Sequence, residues 1–415
     1  MNAETTIQAI ELFVGLVAAA GIVGWLIHRL AIPIPYTVAL VVLGIVAGAV
    51  LPLDVQVTPE IVLLVLLPGL VFEAALRIDI DDFRRTFGGA VLLAAPGVLV
   101  SAAIVAEVLW LATGLPVELG FVVGAMVAAT DPVAVVSTFR QLGSPRRLAT
   151  LIESESLFND GTALVVFTVA VQAVLGPVTP AGIVVQVVTV IAFSTIIGLA
   201  AGWVASRLIA AVDDHLVELT LSVGAAYGTY LVADRLHQSG IIATVVAGLL
   251  IGNHARRVGM SPRSLEALDT VWEFFAFLLT AVVFLLIGLA IGLGDVLSAL
   301  PWIAWGIVAI LVGRAIVVYL LLGGASRLVR GSGHALPIAW LHILFWGGLR
   351  GAVAIAMALS LPADFPQREL LQAITFGIVL FTLLVQGTTV EWLIDRVGAG
   401  RPLHDEAPVE AEARP

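Results

Sequence analysis

A near-unbroken succession of apolar runs, most about 20 residues long or longer, constrains this chain more than any other feature. A bilayer core of about 30 Å requires roughly 20 apolar residues per helix, and runs bounded by Gly, Pro and charged residues meet this requirement repeatedly. Of the 415 residues, 60% are hydrophobic and 12% are charged, against about 45–50% and about 25% in soluble domains. These values exclude a water-soluble enzyme, a disordered protein and a nucleic-acid binder, and they predict an all-α polytopic membrane protein.

Thirteen apolar runs are predicted to be transmembrane helices, numbered here as spans 1 to 13. They cover residues 7–27, 34–51, 58–76, 88–113, 117–138, 147–175, 180–211, 215–235, 239–252, 270–292, 301–329, 335–361 and 367–395. No long linker interrupts them. Residues 1–396 are therefore predicted to form one membrane domain, followed by a short acidic cytoplasmic tail at 397–415.

The arginines test this count independently, because lysine is absent and all 20 basic residues are arginine. With thirteen spans, sixteen arginines fall in alternate loops or in the tail, whereas Arg235 and Arg368 fall on the opposite side. The positive-inside rule then predicts a cytoplasmic C-terminus and an external N-terminus in the plasma (inner) membrane. One missed or additional span would distribute these arginines over both sides of the membrane.

Ionisable side chains near the membrane midplane are the candidate functional residues, because each costs at least a few kcal/mol there. Acids near the span ends, such as Glu107, Glu218 and Glu273, are instead expected to be solvated. The six deeper charges are Glu73, Asp131, Glu155, Asp160, Arg314 and Arg350.

Span 6 carries a polar face within the segment Glu153-Ser-Glu-Ser-Leu-Phe-Asn-Asp160. Ser156 and Asp160 are four residues apart and share one stripe of a helix, while Glu155 and Asn159 share the neighbouring stripe. Their oxygens are hard donors that suit a desolvated alkali cation or a proton. A buried polar network that only orients helices is the alternative interpretation.

Two interruptions are predicted, in spans 5 and 12. Pro132, in the segment Ala129-Thr-Asp-Pro132, removes an amide and frees carbonyl oxygens around residue 128. Span 12 contains Gly347-Gly-Leu-Arg-Gly351. Broken helices at corresponding positions of two halves are typical of a transporter's binding site. Spans 1–6 and 8–13 are therefore predicted to be inverted repeats of six helices, with span 7 as the linker.

Arg314 and Arg350 must be paired or solvated at membrane depth, because an unpaired buried charge is strongly destabilising. Glu155 is the natural partner of one of them; Arg314 is preferred, and Arg350 remains the alternative. A carboxylate fixed by an arginine leaves Asp160 as the titrating group.

These motifs resemble those of the NhaP-type sodium/proton antiporters of the monovalent cation:proton antiporter superfamily, relatives of the eukaryotic sodium/proton exchangers. The matching segments are Phe72-Glu73, Ala129–Pro132, Glu155–Gly161 and Gly347–Gly351. The resemblance implies a homodimer with a transport domain beside a dimerisation and scaffold domain. We expect the transport domain around spans 3–6 and 10–13, and the scaffold from the remaining spans.

The resemblance also implies a site for Na⁺ and a network that supports it. The implied cation contacts are Asp160, Ser156, Glu73, the Thr130 main chain and Asp131, the last directly or through water. The implied supporting residues are Glu155, Asn159, Arg314 and Arg350. No cofactor is expected beyond the transported Na⁺ and H⁺.

The implied function is secondary active exchange of Na⁺, or of Li⁺, for H⁺ by alternating access, in pH and sodium homeostasis. Electrogenic relatives carry Asp-Asp where this chain has Asn159-Asp160, so electroneutral 1:1 exchange is expected. A K⁺/H⁺ antiporter with the same oxygens is the alternative. A channel would need a continuous pore, and an intramembrane enzyme is disfavoured because H-E-x-x-H and G-x-S-x-G motifs are missing. The expected partners are membrane lipids and a second copy of the chain, and no nucleic acid.

Overall fold

The computed structural model describes residues 3–30, 34–50, 58–133, 135, 136, 139, 145–256, 260–328 and 336–397. The predicted acidic tail, apart from Val397, lies outside the described residues. All regular structure within these ranges is helical.

The first half of the chain contains α1 (Ala3–Leu30), α2 (Tyr36–Val50), α3 (Leu67–Arg77), α4 (Ile80–Ala94), α5 (Pro96–Thr113), α6 (Val117–Met126), α7 (Arg146–Leu175) and α8 (Pro180–Ala210). The second half contains α9 (His215–Arg235), α10 (Gly240–Leu250), α11 (Pro262–Ala290), α12 (Leu293–Ser298), α13 (Leu300–Ala315), α14 (Gly323–Leu328), α15 (Ile338–Trp346), α16 (Ala352–Leu359), α17 (Arg368–Phe381) and α18 (Gly387–Val397). Short π-helical segments, Ile61–Leu66, Ile251–Ala255, Ile316–Leu322 and Thr382–Gln386, adjoin α3, α10, α13 and α17.

By length and composition, seven helical stretches within the described ranges could each cross a membrane. Among the shorter apolar helices, α2 precedes the first of these stretches and α6 lies between the first and the second. An all-helical chain with repeated apolar stretches satisfies its backbone hydrogen bonds internally, as a bilayer requires. The fold is that of a multi-pass membrane protein.

Helix ends follow capping side chains rather than the limits of the apolar runs. The Asp79 carboxylate accepts a hydrogen bond from the Asp81 amide at 2.8 Å, so α4 begins at Ile80 and not at residue 88. The Ser261 hydroxyl likewise accepts from the Ser264 amide at 3.2 Å and starts α11 well before residue 270. An N-cap oxygen satisfies amides that lack partners in the first helical turn, and therefore extends a helix beyond its apolar part.

The helices pack into two clusters. The site cluster comprises α4–α7 and α12–α18, and the flanking cluster comprises α1–α3 and α8–α11. Within the flanking cluster, α2 and α11 approach closely because Gly44 and Gly288 face each other. A Cβ atom on Gly44 would lie 2.9 Å from the Cα atom of Gly288. Small residues of this kind allow membrane helices to pack backbone against backbone.

Predicted spans 3 and 10 contain two helices of the flanking cluster. The corresponding helices, α3 and α11, pack against each other and against α2 and α10. Phe72 of α3 is fully buried and its ring lies 4.8 Å from that of Trp272 of α11. These two helices therefore belong to the flanking cluster and face the site from outside it.

Both predicted interruptions are present. The helix that begins with α6 loses regular structure at residues 127–132 and is helical again at Val133. Between α15 and α16 the chain is unwound from Gly347 to Gly351. The two unwound segments meet in the interior of the site cluster.

Candidate cation site

A cavity of about 580 Å³ lies between the two clusters. One wall comes from α7 and the two unwound segments, and the opposite wall from α2, α3 and α11. Five carboxylates line it: Glu73, Asp131, Glu153, Asp160 and Glu273. Among the described lining residues, Arg77 is the only basic one. The cavity is therefore strongly electronegative.

The unwound segments are tied together by backbone hydrogen bonds. The Asp131 amide donates to the Leu349 carbonyl at 2.8 Å. The Arg350 Nη1 group donates to the carbonyls of Ala128 at 2.7 Å and Ala129 at 3.2 Å. The carbonyls that Pro132 frees are thus satisfied by an arginine from the other interruption, and the buried guanidinium gains partners in turn.

Helix α7 holds the Thr130 peptide from the other side. The Asn159 Nδ2 group donates to Thr130 Oγ1 at 2.6 Å, and the Thr130 amide donates to Asn159 Oδ1 at 3.3 Å. The Ser156 hydroxyl donates to the Thr130 carbonyl. All three side chains are buried. The polar stripes predicted on span 6 therefore fix the position of the unwound segment.

Asp131 lies at the edge of the cavity and begins the second half of its helix. Its Oδ1 atom accepts from the Val133 amide at 3.0 Å. Its other carboxylate oxygen faces Gly351, where a Cβ atom would collide with it. The close approach of these two residues requires glycine at position 351.

Asp160 projects into the same cavity and is partly exposed there. Within the described ranges, no group donates a hydrogen bond to its carboxylate and no cation pairs with it. Ser156, one helical turn away, and Thr130 line the same space. Asp160 is therefore a carboxylate available to a cation or a proton from the cavity.

Glu155 pairs with Arg314, the preferred of the two arginines. The guanidinium forms a two-point contact in which Nη1 bonds to one carboxylate oxygen and Nη2 lies 3.0 Å from the other. Arg314 also donates to the Leu344 carbonyl from Nε at 3.0 Å and from Nη2 at 2.8 Å. Both charged side chains are buried. A planar guanidinium matches a carboxylate in this two-point geometry. The pair therefore holds α7 and α13 in a fixed relative position.

Glu73 forms an ion pair that the sequence motifs do not predict. Its carboxylate bonds to the Nε group of Arg77, four residues later on α3. Arg77 is one of the sixteen arginines in the loops and tail that the positive-inside rule assigns to the cytoplasmic side. The signal was present, because an acid and a base four residues apart meet on one face of a helix.

Glu218 departs from its expected solvation, and His342 lies apart from the site. Glu218 is 1% exposed, and no described group donates a hydrogen bond to its carboxylate, although its place near a span end predicted solvation. His342 lies on the outer face of the site cluster, where its Nδ1 atom is 2.7 Å from the Tyr319 hydroxyl. Neither residue lines the cavity between the two clusters.

Residues 16–396 match the family model described as sodium/hydrogen exchanger, transmembrane. The chain belongs to this family. The matched residues include both helix interruptions, α7 and the residues of both cavity walls. The resemblance seen in the sequence motifs is therefore confirmed over the membrane region.

Relatives within the family are similar along most of the chain. The Na⁺/H⁺ antiporter ApNhaP of Aphanothece halophytica is 40% identical over 369 residues, which cover 88% of this chain and 70% of that protein. The low-affinity Na⁺/H⁺ antiporter NhaS1 of Synechocystis is 38% identical, covering 87% of this chain and 69% of that protein. The sodium proton antiporter MjNhaP1 of Methanocaldococcus jannaschii shares the fold, with a TM-score of 0.77, 19% identity and coverage of 95% of this chain and 100% of that chain.

Proposed function

We propose that this chain is a secondary transporter that exchanges Na⁺ for H⁺ across the plasma (inner) membrane. The observation that carries the proposal is Asp160, a carboxylate without a described partner that faces the cavity beside Ser156 and Thr130. One carboxylate that binds either a cation or a proton couples their movements, because the two cannot occupy it together. The relatives named as Na⁺/H⁺ antiporters favour Na⁺ over K⁺ as the exchanged cation.

The proposed cation contacts are Asp160, Ser156, the Thr130 main chain, Asp131 and Glu73. The first four lie on the site cluster and Glu73 lies on the flanking cluster, so the contacts span the gap between the two. Alternating access then moves the site cluster, as the transport domain, past the flanking cluster, as the scaffold. The Glu155–Arg314 pair and the Arg350 contacts keep the four contacts on the site cluster in fixed positions during this movement.

The proposed topology has thirteen membrane-crossing helices in two inverted repeats. Its support is the arginine distribution and the meeting of the two interruptions at the site. The cavity reaches Pro35, Arg77 and Glu153, which lie on the side where arginines concentrate. That side is the cytoplasm, with the C-terminus there and the N-terminus outside. A homodimer formed through the scaffold completes the proposed assembly.

The proposed function is tested with Asp160→Asn in everted membrane vesicles. Dissipation of a preformed pH gradient is measured with Na⁺, Li⁺, K⁺ and choline chloride. The wild type is expected to respond to Na⁺ and Li⁺, and Asp160→Asn is expected to respond no more than vesicles without the protein. Asp234→Asn removes an exposed carboxylate outside the cavity and is expected to behave as the wild type. Sodium-dependent exchange retained by Asp160→Asn would remove Asp160 from the mechanism.

A further inference from the structure

Arg77 occupies an unusual position at the rim of the cavity. It is the only basic residue among the described cavity-lining residues, which include five acids. Its Nε group bonds to Glu73, and its Nη2 group lies 3.6 Å from a carboxylate oxygen of Glu273 on α11. The exposed side-chain fractions are 14% for Glu73, 24% for Arg77 and 70% for Glu273. Arg77 thus links a sheltered acid to a largely exposed acid at the rim of the cavity.

We propose that Arg77 is a tethered competitor of the transported cation, and that a cation must displace its guanidinium before Glu73 can join the site. This inference rests on the proposed function, which assigns Glu73 as a cation contact. Glu273 gives the displaced guanidinium a second carboxylate within reach. Arg77 can therefore leave Glu73 without losing all ionic contact.

The competition reduces apparent affinity. A ligand that binds only one state of a protein has its affinity lowered by the fraction of molecules in that state. With Arg77 on Glu73, that fraction is less than one, so the KM for Na⁺ exceeds the value set by the cation contacts alone. Removal of the guanidinium is expected to lower the KM, whereas removal of an ordinary stabilising contact would leave it unchanged or raise it.

The decisive variant is Arg77→Gln, with the KM for Na⁺ measured in vesicles at fixed pH. We expect the KM to fall about fivefold, in keeping with a partly exposed, screened ion pair. Arg84→Gln is the matched control, because Arg84 follows on α4, is 75% exposed and does not line the cavity. It removes the same charge and is expected to leave the KM unchanged. A KM for Arg77→Gln equal to or above that of the wild type would overturn the proposal.

A second variant and a second readout apply if Arg77→Gln does not accumulate in the membrane. Arg77→Lys retains a charge but presents a compact ammonium in place of a two-point fork, so it competes less well. We expect its KM to fall about twofold. In purified protein, the Na⁺ concentration that half-maximally raises the thermal midpoint is expected to fall by the same factor. An unchanged or higher value for Arg77→Lys in both measurements contradicts the competitor role.

Failure of this inference is distinguishable from failure of the proposed function. The same preparations are assayed with the wild type and Asp160→Asn. If both behave as proposed while the Arg77 variants leave the KM unchanged, only the role of Arg77 is rejected. If Asp160→Asn still exchanges Na⁺ for H⁺, the proposed site itself is rejected.

Discussion

Asn159 determines, at the scale of single residues, how firmly the Thr130 peptide is held. Its amide group makes two hydrogen bonds to Thr130, one as donor and one as acceptor. Replacement with alanine leaves the Thr130 amide and hydroxyl without these buried partners, a loss of about 1–3 kcal/mol for each unsatisfied group. We expect Asn159→Ala to raise the KM for Na⁺ at least tenfold, because Thr130 no longer holds its position beside Asp160.

Asn253 provides the control for this substitution. Its side chain also bridges backbone groups, since it accepts from the Ile80 amide at 2.9 Å and donates to the Ile78 carbonyl at 2.9 Å. It lies outside the cavity. Asn253→Ala should therefore lower the thermal midpoint with the KM unchanged. Equal changes in KM for both variants would show that lost stability, and not lost positioning, explains the effect of Asn159→Ala.

Glu155 and Arg314 are expected to contribute to stability as a unit. Removing one member of a buried ion pair costs about 3–5 kcal/mol, because the other charge stays buried and unpaired. We expect Glu155→Gln and Arg314→Gln each to lower the thermal midpoint strongly, and the double variant to lose much less than the sum. Arg256→Gln, which breaks a pair whose Asp269 side chain is 48% exposed, should cost about 1 kcal/mol or less. Additive losses for the buried pair would mean that its two members do not stabilise each other.

At the scale of helical elements, the close contact between the two unwound segments leads to a testable prediction. A Cβ atom at position 351 would meet the carboxylate of Asp131, so Gly351→Ala must push the carboxylate, the backbone or both. We expect Gly351→Ala to reach the membrane but to lose at least 90% of exchange, since contacts displaced by about 1 Å cost about 100-fold. Gly224→Ala, where nothing lies within 4 Å of the added Cβ atom, should exchange normally. Normal exchange by Gly351→Ala would mean that Asp131 tolerates displacement.

The helix interruptions and polar stripes of the site were predictable from the sequence, but the packing partners of the helices around it were not. Pro132 and the glycines at 347–351 act on their own backbone, so both interruptions follow from residue type. The polar stripes of α7 follow from helical spacing in the same way. By contrast, α3 and α11 are apolar on most sides, so composition does not specify which neighbours they pack against. The grouping depends on close contacts such as that of Gly44 with Gly288, which only the folded chain shows.

At the scale of the whole molecule, the charge carried in each crossing determines whether the membrane potential does work on the exchange cycle. If one Na⁺ replaces one H⁺ on Asp160, the site carries the same charge in both crossings, and a membrane potential does no net work on the cycle. Moving one uncompensated charge would instead yield about 2.3 kcal/mol per 100 mV. We expect the final pH gradient in proteoliposomes to be independent of a potential clamped with potassium and valinomycin. An end-point that moves with the clamped potential would identify a second titrating group, with Asp131 and Glu73 as the first candidates.

Competition at one carboxylate also gives the molecule a definite pH response. A proton on Asp160 excludes Na⁺, so lower pH reduces the fraction of molecules able to bind the cation. In the range where Asp160 is mostly protonated, each unit of pH decrease is expected to raise the KM for Na⁺ about tenfold. The measurement is the KM of exchange across a pH series. A KM that falls as the pH is lowered would exclude simple competition.

The hydrogen bonds across the two unwound segments have a consequence for amide exchange with solvent. The amides of Thr130, Asp131 and Arg350 are all bonded, to Asn159, Leu349 and Thr382. In hydrogen–deuterium exchange, these non-helical residues should take up deuterium as slowly as the helices around them. The breaks in the helices would then not be hinges, and the flexible points of the transport cycle would lie in the connections between the two clusters.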